Sequence, residues 1–232
     1  MSNHVVAVVP AAGCGARMGG PTPKQFLSLG GIPLLVHSLR TLDSVDAISE
    51  IVVVIPDADR EFCQKDVVDR FHIKKVTKIV PGGKRRQDSV RHGVLALQEK
   101  PDFVVVHDGV RPFVSQEIVH RAVLSAVETG ASLVAIPMKD TVKRVNEKGR
   151  VEATLNREEL WLAQTPQVFR YSWLVEAHQL AEEKNIDATD DAGLVEQLGY
   201  PIHIVQGSTH NMKVTRPEDL ALGESILACQ ES

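Results

Sequence analysis

The 232-residue chain is 43% hydrophobic and carries a formal net charge of -4, enough apolar content for a sizeable core rather than a disordered chain. A negative balance argues against a general nucleic-acid binder, which would carry an excess of Lys and Arg. Its three cysteines, Cys14, Cys63 and Cys229, are odd in number, widely spaced and form no Cys-x-x-Cys pair, so neither a disulfide framework nor a zinc site is implied and a reducing cytoplasm fits.

Short Val/Ile-rich runs occupy residues 4–10, 50–56, 76–80, 103–107 and 133–137. Continuous apolar runs of this length suit strands covered on both faces of a parallel sheet. The first run has no basic segment ahead of it and is too short to cross a bilayer, so it reads neither as a secretory signal nor as a membrane span. Amphipathic stretches separate the runs. Residues 33–42 set Leu34, Leu35, Ser38, Leu39 and Leu42 on one helical face, and residues 86–97 do the same with Val90, Val94 and Leu97. The alternation predicts one α/β domain over residues 1–232, with a doubly wound, mostly parallel, Rossmann-like sheet and right-handed crossovers. Ligands then lie beyond the carboxyl ends of the strands.

Residues 139–157 break the pattern. They are polar, and Asn146 to Gly149 reads as a turn between residues 141–145 and 150–155, which is a hairpin signal. A hairpin inserted there has little core to cover, so it reads as an arm that packs on something else. Helices are expected at 173–183 and 190–198, a strand at 201–205, and a last helix after Arg216-Pro217-Glu218-Asp219, where Pro217 suits the first turn and the acids suit the dipole.

The first strand runs into Pro10-Ala11-Ala12-Gly13-Cys14-Gly15-Ala16-Arg17-Met18 and then Pro23-Lys24-Gln25. Small residues after a first strand let backbone N–H groups approach an anion. The dinucleotide fingerprint fails because Met18 stands where its third glycine belongs, and the P-loop fails for want of Gly-Lys-Ser/Thr. What remains is a loop with two cations, Arg17 and Lys24. That pair suits stabilisation of phosphate charge during transfer; the alternative is an ordinary glycine-rich turn with two solvated cations.

Asp108 follows the fourth run in His107-Asp108-Gly109-Val110-Arg111-Pro112. A carboxylate at a carboxyl strand end is placed to hold Mg²⁺ on a triphosphate, or else it caps a turn. After the third run, Gly82 and Gly83 permit close approach to a flat base, and Ser89 can meet a base edge. The competing reading makes Asp88 and Ser89 part of a helix N-terminus. Lys84-Arg85-Arg86 reads as a solvated face rather than a site. Thr141, Arg157 and Lys213, taken singly, read as surface residues, and Thr189-Asp190-Asp191 as a helix cap. Nine histidines include no His-Glu-x-x-His, and no Gly-x-Ser-x-Gly occurs, which sets aside zinc proteases and serine hydrolases.

Together the motifs Pro10-Ala11-Ala12-Gly13-x-Gly15-x-Arg17-Met18, Pro23-Lys24-Gln25, His107-Asp108-x-x-Arg111-Pro112, Asp140-Thr141-x-Lys143-Arg144, Thr165-Pro166-Gln167, Thr189-Asp190 and Asn211-x-Lys213-Val214-Thr215-Arg216-Pro217-Glu218-Asp219 carry a resemblance. The chain resembles the 2-C-methyl-D-erythritol 4-phosphate cytidylyltransferases of the non-mevalonate isoprenoid pathway, and the motifs run from the first strand to the last helix in family order. The resemblance implies Mg²⁺-dependent transfer of a cytidylyl group from CTP to a polyol phosphate, with pyrophosphate released. It implies that Arg17 and Lys24 stabilise the transition state at the α-phosphate, that Arg157 and Lys213 position the acceptor phosphate, and that Asp108 holds the metal. Substrate contacts would come from Pro10, Ala11, Ala12, Gly13, Gly15, Gly83, Ser89, Asp108, Arg111, Thr141 and Thr165. It further implies a homodimer in which the arm, residues 139–157, brings Thr141 and Arg157 to the neighbouring site. No membrane or nucleic-acid partner is implied.

Two residues depart from the family pattern. His210 precedes Asn211 where some relatives carry an aspartate near the metal, and Lys84 follows Gly83 where some carry an acid near the base. A ribitol 5-phosphate cytidylyltransferase would share most of these motifs. A non-catalytic nucleotide-binding regulator would not need both Arg17 and Lys24. The chemistry itself asks little: a phosphate monoester, with a second pKa of about 6, is already mostly dianionic at neutral pH and needs no general base. Cations and alignment carry the reaction.

Overall fold

In the computed structural model the described residues are 3–13, 18 and 22–230. In chain order the elements are β1 (Val5–Pro10), a one-turn 3₁₀ helix (Lys24–Phe26), the two-residue strands β2 (Ser28–Leu29) and β3 (Ile32–Pro33), α1 (Leu34–Asp43) and β4 (Glu50–Ile55). A short α2 (Arg60–Phe62) runs on as a π-helix (Cys63–Asp69) to β5 (Val76–Pro81), α3 (Arg86–Leu95), β6 (Phe103–Val106), α4 (Gln116–Thr129) and β7 (Ala131–Pro137). The chain closes with β8 (Lys143–Val145), β9 (Val151–Thr154), β10 (Trp161–Arg170), α5 (Tyr171–Glu183), α6 (Asp191–Glu196), β11 (His203–Gln206) and α7 (Pro217–Gln230).

Seven strands form one sheet in the order β11-β7-β10-β6-β1-β4-β5. The pairs β6-β1, β1-β4, β4-β5 and β11-β7 are parallel, whereas β10 runs antiparallel to both β6 and β7. The apolar runs of β1, β4 and β6 behave as their composition requires, because both sheet faces are covered there, whereas β5 at the sheet edge is only partly buried. Val5, Ala7 and Val9 of β1 pack with Leu35 and Leu39 of α1 and Val119 and Ala122 of α4. Val6 and Val8 face the other way, toward Val90 and Val94 of α3 and Leu174 and Ala177 of α5. α3 sits close against β1 because Gly93 has no side chain: a Cβ there would come within 2.4 Å of a Val8 methyl. That close approach brings the first turn of α3 up to the carboxyl end of β1.

The residue 33–42 helix, the five apolar strands, the helices near 86–97, 173–183 and 190–198 and the last helix are all present within a few residues of expectation. The residue 201–205 strand appears two residues later, as β11. The hairpin is also present, as the exposed pair β8-β9, and the Asn146 side chain accepts from the N–H groups of Lys148 and Arg150 across its turn. β10 was not expected. It enters the middle of the sheet as a strand with Pro166 inside it, and its pairing with β7 slips between Ala163 and Gln167. A bulge at that slip is where a residue without an N–H can be accepted.

Candidate active site

The loops after β1, β5 and β6 meet at one end of the sheet, because these strands are parallel and close together. A cavity of about 350 Å³ opens there, lined by Pro10, Ala11, Ala12, Gly13, Lys24, Gly83, Lys84, Arg85, Arg86, Ser89, Asp108, Val110 and Lys213. Seven residues singled out for the loop, the base and the metal therefore share one wall: Pro10, Ala11, Ala12, Gly13, Gly83, Ser89 and Asp108. Two of the expected cations, Lys24 and Lys213, join them. Lys24 lies over the loop, since a Cβ on Gly13 would sit 3.5 Å from its ammonium nitrogen. Arg17 and Gly15 fall outside the described residues.

Asp108 is the centre of the charge pattern. One carboxylate oxygen accepts from Arg86 Nε at 2.8 Å; the other takes Lys213 Nζ at 2.8 Å and Arg111 Nε at 3.5 Å. Burial would push its carboxyl pKa up, but the charges of Arg86, Lys213 and Arg111 overcome this and hold it far below the usual carboxylate range. Its backbone is fixed as firmly. Asp108 N–H donates to Thr165 Oγ1 at 3.0 Å, and that hydroxyl also meets His107 Nδ1 at 3.0 Å. His107 Nε2 faces the Arg111 carbonyl at 3.3 Å. A carbonyl can only accept, so Nε2 carries the hydrogen and the Thr165 hydroxyl donates to Nδ1. Burial lowers the His107 pKa to about 4, against the pull of Asp108, so the ring is neutral.

One expectation needs correcting, and several of the other residues have structural partners of their own. Arg86 is not part of a solvated face: its Nη1 donates to Asp191 at 2.7 Å while Nε holds Asp108, so it bridges two buried carboxylates. Gly82 and Gly83 are glycines for a packing reason. A Cβ on Gly82 would come within 2.2 Å of Ala12 Cβ, and one on Gly83 within 2.3 Å of Asp88 Cβ, so the glycines let the chain pack on itself and shape the cavity wall. Ser89 spends its hydroxyl locally, accepting from Gly83 N–H and donating to the Arg85 carbonyl. Asp88 accepts from Arg85 N–H in the first turn of α3, as the helix-terminus reading required. Thr165 is only 3% exposed and holds the Asp108 backbone. Arg111 turns its Nη1 to the Asn211 carbonyl at 2.8 Å.

Asp190 caps α6 by accepting from Gly193 N–H, as expected, and also accepts from Gln167. Asp191, by contrast, is fully buried against Arg86 and His178 rather than simply lining a helix start. His210 is exposed, its N–H donating to Ser208 Oγ. Thr141 and Arg157 are exposed on the arm, and Arg157 Nη1 donates to the Lys139 carbonyl. Neither lines the cavity. The residues that sequence reasoning missed are Arg86, Asp191, His178, Gln167 and Asn211. For Gln167 and Asn211 a signal existed, since Gln167 closes the Thr165-Pro166-Gln167 motif and Asn211 opens the Asn211-x-Lys213 motif; the Asn211 amide donates to the Thr165 carbonyl at 2.8 Å.

Among the described residues no group of three or more His, Cys, Asp or Glu side chains could hold a metal by itself. The donor set does fit an ion that arrives on a triphosphate: one ionised carboxylate facing the cavity, with the remaining oxygens supplied by phosphate and water, is the usual coordination of Mg²⁺. Cys63 offers no alternative nucleophile, being buried with its thiol pushed up to about 12. No helix among the described residues is long and apolar enough to cross a membrane.

Comparisons with known proteins agree with one another. The family model for 2-C-methyl-D-erythritol 4-phosphate cytidylyltransferase matches residues 5–229. The enzyme of that name from Pelotomaculum thermopropionicum is 48% identical over 229 residues, covering 99% of this chain and 96% of the relative. The one from Syntrophus aciditrophicus is 44% identical over 231 residues, covering 100% and 99%. Among solved structures, the 4-diphosphocytidyl-2C-methyl-D-erythritol synthase of Anaerococcus prevotii superposes with a TM-score of 0.88 at 30% identity, covering 98% of this chain and 97% of that one. The 2-C-methyl-D-erythritol 4-phosphate cytidylyltransferase of Thermus thermophilus gives 0.81 at 34% identity, covering 97% and 99%.

Proposed function

The chain belongs to the 2-C-methyl-D-erythritol 4-phosphate cytidylyltransferase family, and we propose that the cavity beyond β1 and β6 is where it transfers a cytidylyl group from CTP to 2-C-methyl-D-erythritol 4-phosphate. The chain is a nucleotidyltransferase of the non-mevalonate isoprenoid pathway. The observation that carries the site assignment is the clustering of Lys24, Arg86 and Lys213 around the ionised Asp108 in one cavity at a strand end.

The acceptor phosphate, already dianionic, attacks the α-phosphorus of CTP. An oxygen–phosphorus bond forms as the bond from the α-phosphorus to the α,β-bridging oxygen breaks, and that oxygen leaves with the electron pair as pyrophosphate. No proton has to be removed. Charge grows on the phosphoryl oxygens and on the leaving group, so preorganised cations beside them lower the barrier most. Lys24, with Arg17 from the same loop, takes this role at the α-phosphate. The β1 loop backbone at Ala11, Ala12 and Gly13 approaches the nucleotide, and the loop at Gly83 and Ser89 forms the base side of the cavity. Lys213 meets the acceptor phosphate. Asp108 would hold Mg²⁺, which when bound neutralises triphosphate charge.

The arm completes the reading. Val145 and Val151 stand 53% and 61% exposed on the hairpin, with Trp161 at 40% just beyond it, and such apolar exposure suits an interface. We read this as a homodimer in which Thr141 and Arg157 serve the partner's site, and the protein as cytoplasmic. The deciding assay is pyrophosphate release with CTP and either 2-C-methyl-D-erythritol 4-phosphate or ribitol 5-phosphate. Turnover restricted to the former is expected; preference for ribitol 5-phosphate, or CTP binding without turnover, would refute the assignment.

A further inference from the structure

Arg86 stands between two carboxylates. Its Nε holds Asp108 at 2.8 Å and its Nη1 holds Asp191 at 2.7 Å. The guanidinium is planar and its donors are fixed relative to one another. The carboxylate on Nη1 therefore fixes where Nε points, and so how Asp108 is held. Asp191 is in turn held from behind. It opens α6, whose start is anchored to β10 by Gln167: Gln167 Nε2 donates to Asp190 at 2.7 Å and its Oε1 accepts from Ala192 N–H at 3.0 Å. His178, 3% exposed on α5, lies 3.5 Å from the other oxygen of Asp191, and neither ring nitrogen has a hydrogen-bond partner among the described residues. The nucleotide side of this arrangement is crowded with positive charge, with Lys24, Arg86 and Lys213 lining one cavity around Asp108. Such a surround favours a polyanion but opposes a divalent cation.

We propose that Asp191 is a positioning residue for cytidylyl transfer: by sharing Arg86 with Asp108 it draws guanidinium charge away from Asp108 and leaves that carboxylate able to take a divalent cation together with CTP. The inference rests on the reading of Asp108 as the metal-side carboxylate. Asp191 touches neither substrate nor metal, and its effect passes through Arg86.

The sign of the effect separates this role from a purely structural one. Asp191→Asn keeps the shape and can still accept from Arg86, but removes one negative charge. The site becomes more positive, so metal-free CTP should bind as well as before or more tightly, while the gain in CTP affinity that Mg²⁺ brings should shrink. One charge acting through a buried guanidinium warrants a loss of roughly tenfold in that coupling.

The test is calorimetric titration of CTP with and without saturating Mg²⁺, on the full-length protein and three variants, each first checked by thermal melting. Asp191→Asn is expected to keep metal-free CTP affinity and lose about tenfold in coupling; Asp191→Glu, which keeps the charge, is expected to retain it. An unchanged coupling in Asp191→Asn, or an equal loss of metal-free and Mg²⁺-dependent affinity, would overturn the proposal. If Asp191→Asn does not fold, the neutral Asp191→Ser takes its place: a loss of about tenfold in coupling that Asp191→Glu does not share supports the role, and undiminished coupling overturns it. Asp108→Asn run in parallel keeps the two readings apart. Coupling that survives Asp108→Asn overturns the assignment of Asp108 and this inference with it; coupling that needs Asp108 but ignores Asp191 overturns this inference alone.

Discussion

Acidification should weaken this fold through His107 before it touches the carboxylates. The ring is fully buried and neutral, with Nδ1 receiving the Thr165 hydroxyl and Nε2–H directed to the Arg111 carbonyl. Burial depresses its pKa to about 4, whereas in the unfolded chain it returns to about 6.5. The folded value is the lower one, so between those limits the unfolded chain binds the extra proton. The stability His107 contributes is intact above about 6.5 and is lost as the pH falls toward 4. At about 1.4 kcal/mol per pKa unit, this one group should remove roughly 2 kcal/mol between pH 7 and pH 5. Asp108 and Asp191 do not interfere in that window. Both have lowered pKa values, burial being overcome by Arg86 and its neighbours, so their contribution is present above about 3.9 and is lost only at lower pH. The informative variant is His107→Asn, whose Oδ1 can still accept from Thr165 but which cannot titrate. Its loss of the hydrogen bond to Arg111 should cost about 1–3 kcal/mol at pH 7. Urea unfolding at pH 7, 6 and 5 then compares the two proteins, and His37, also depressed by burial, titrates in both and cancels. The wild type should lose roughly 2 kcal/mol more than the variant across that range. Parallel pH profiles would mean that native His107 takes up its proton at an ordinary pH, and the order of donors in the Asp108-Thr165-His107 chain would be wrong.

The remaining predictions concern catalysis. Lys24→Ala should lower turnover on the order of 10²–10³-fold with CTP saturating, while CTP affinity changes little, because its charge meets charge that develops in the transition state; near-normal turnover would remove Lys24 from that role. Mixing inactive Arg157→Ala with inactive Lys24→Ala subunits should restore activity, since one site per heterodimer would then be whole, and verified heterodimers without activity would put Arg157 outside the partner's site. Asp108→Ala should raise the Mg²⁺ requirement for turnover strongly and His210→Ala hardly at all, as imidazole is a poor Mg²⁺ ligand and His210 is exposed; an equal shift in both would make His210 a ligand.

What could be read from the sequence was whatever repeats locally. The apolar runs announced the strands because β1, β4 and β6 are covered on both faces, and the Asn146 to Gly149 turn announced the hairpin. β10 escaped because its buried positions Gln164, Thr165 and Gln167 are polar and Pro166 interrupts them. Those side chains are inside for their hydrogen bonds, to Ser208, Asp108, Asp190 and Ala192, and not for their hydrophobicity. The site divides in the same way. Lys24 and Asp108 stand beside strand ends and could be placed from the sequence; Arg86 could not. Its neighbours Lys84 and Arg85 are exposed, and the carboxylates that make it different lie 22 and 105 residues away in the chain.

The cost of that arrangement bears on its purpose. A buried carboxylate ringed by buried cations is weak evidence for stability, because desolvation of the charges can exceed their mutual attraction, and well-packed apolar residues often serve a core as well or better. Asp108 and Asp191 are 5% and 0% exposed, and Asp108 lines the cavity while Asp191 lies behind it against Arg86, which lines the cavity too. Around them Lys24, Arg86, Arg111 and Lys213 supply more positive charge than the two carboxylates neutralise. Such an excess is poorly placed for an empty pocket and well placed for one that must hold a triphosphate and a phosphate monoester at once. Bringing those two anions together in water meets strong repulsion, and donors already fixed in place relieve it without reorganising during the reaction. The carboxylates have the complementary task. Without them the cations would repel one another and spread, and no ionised oxygen would face the cavity to receive a metal. The charge balance therefore needs both signs, with the acids holding the bases in position and the substrates supplying the negative charge that the protein side chains do not.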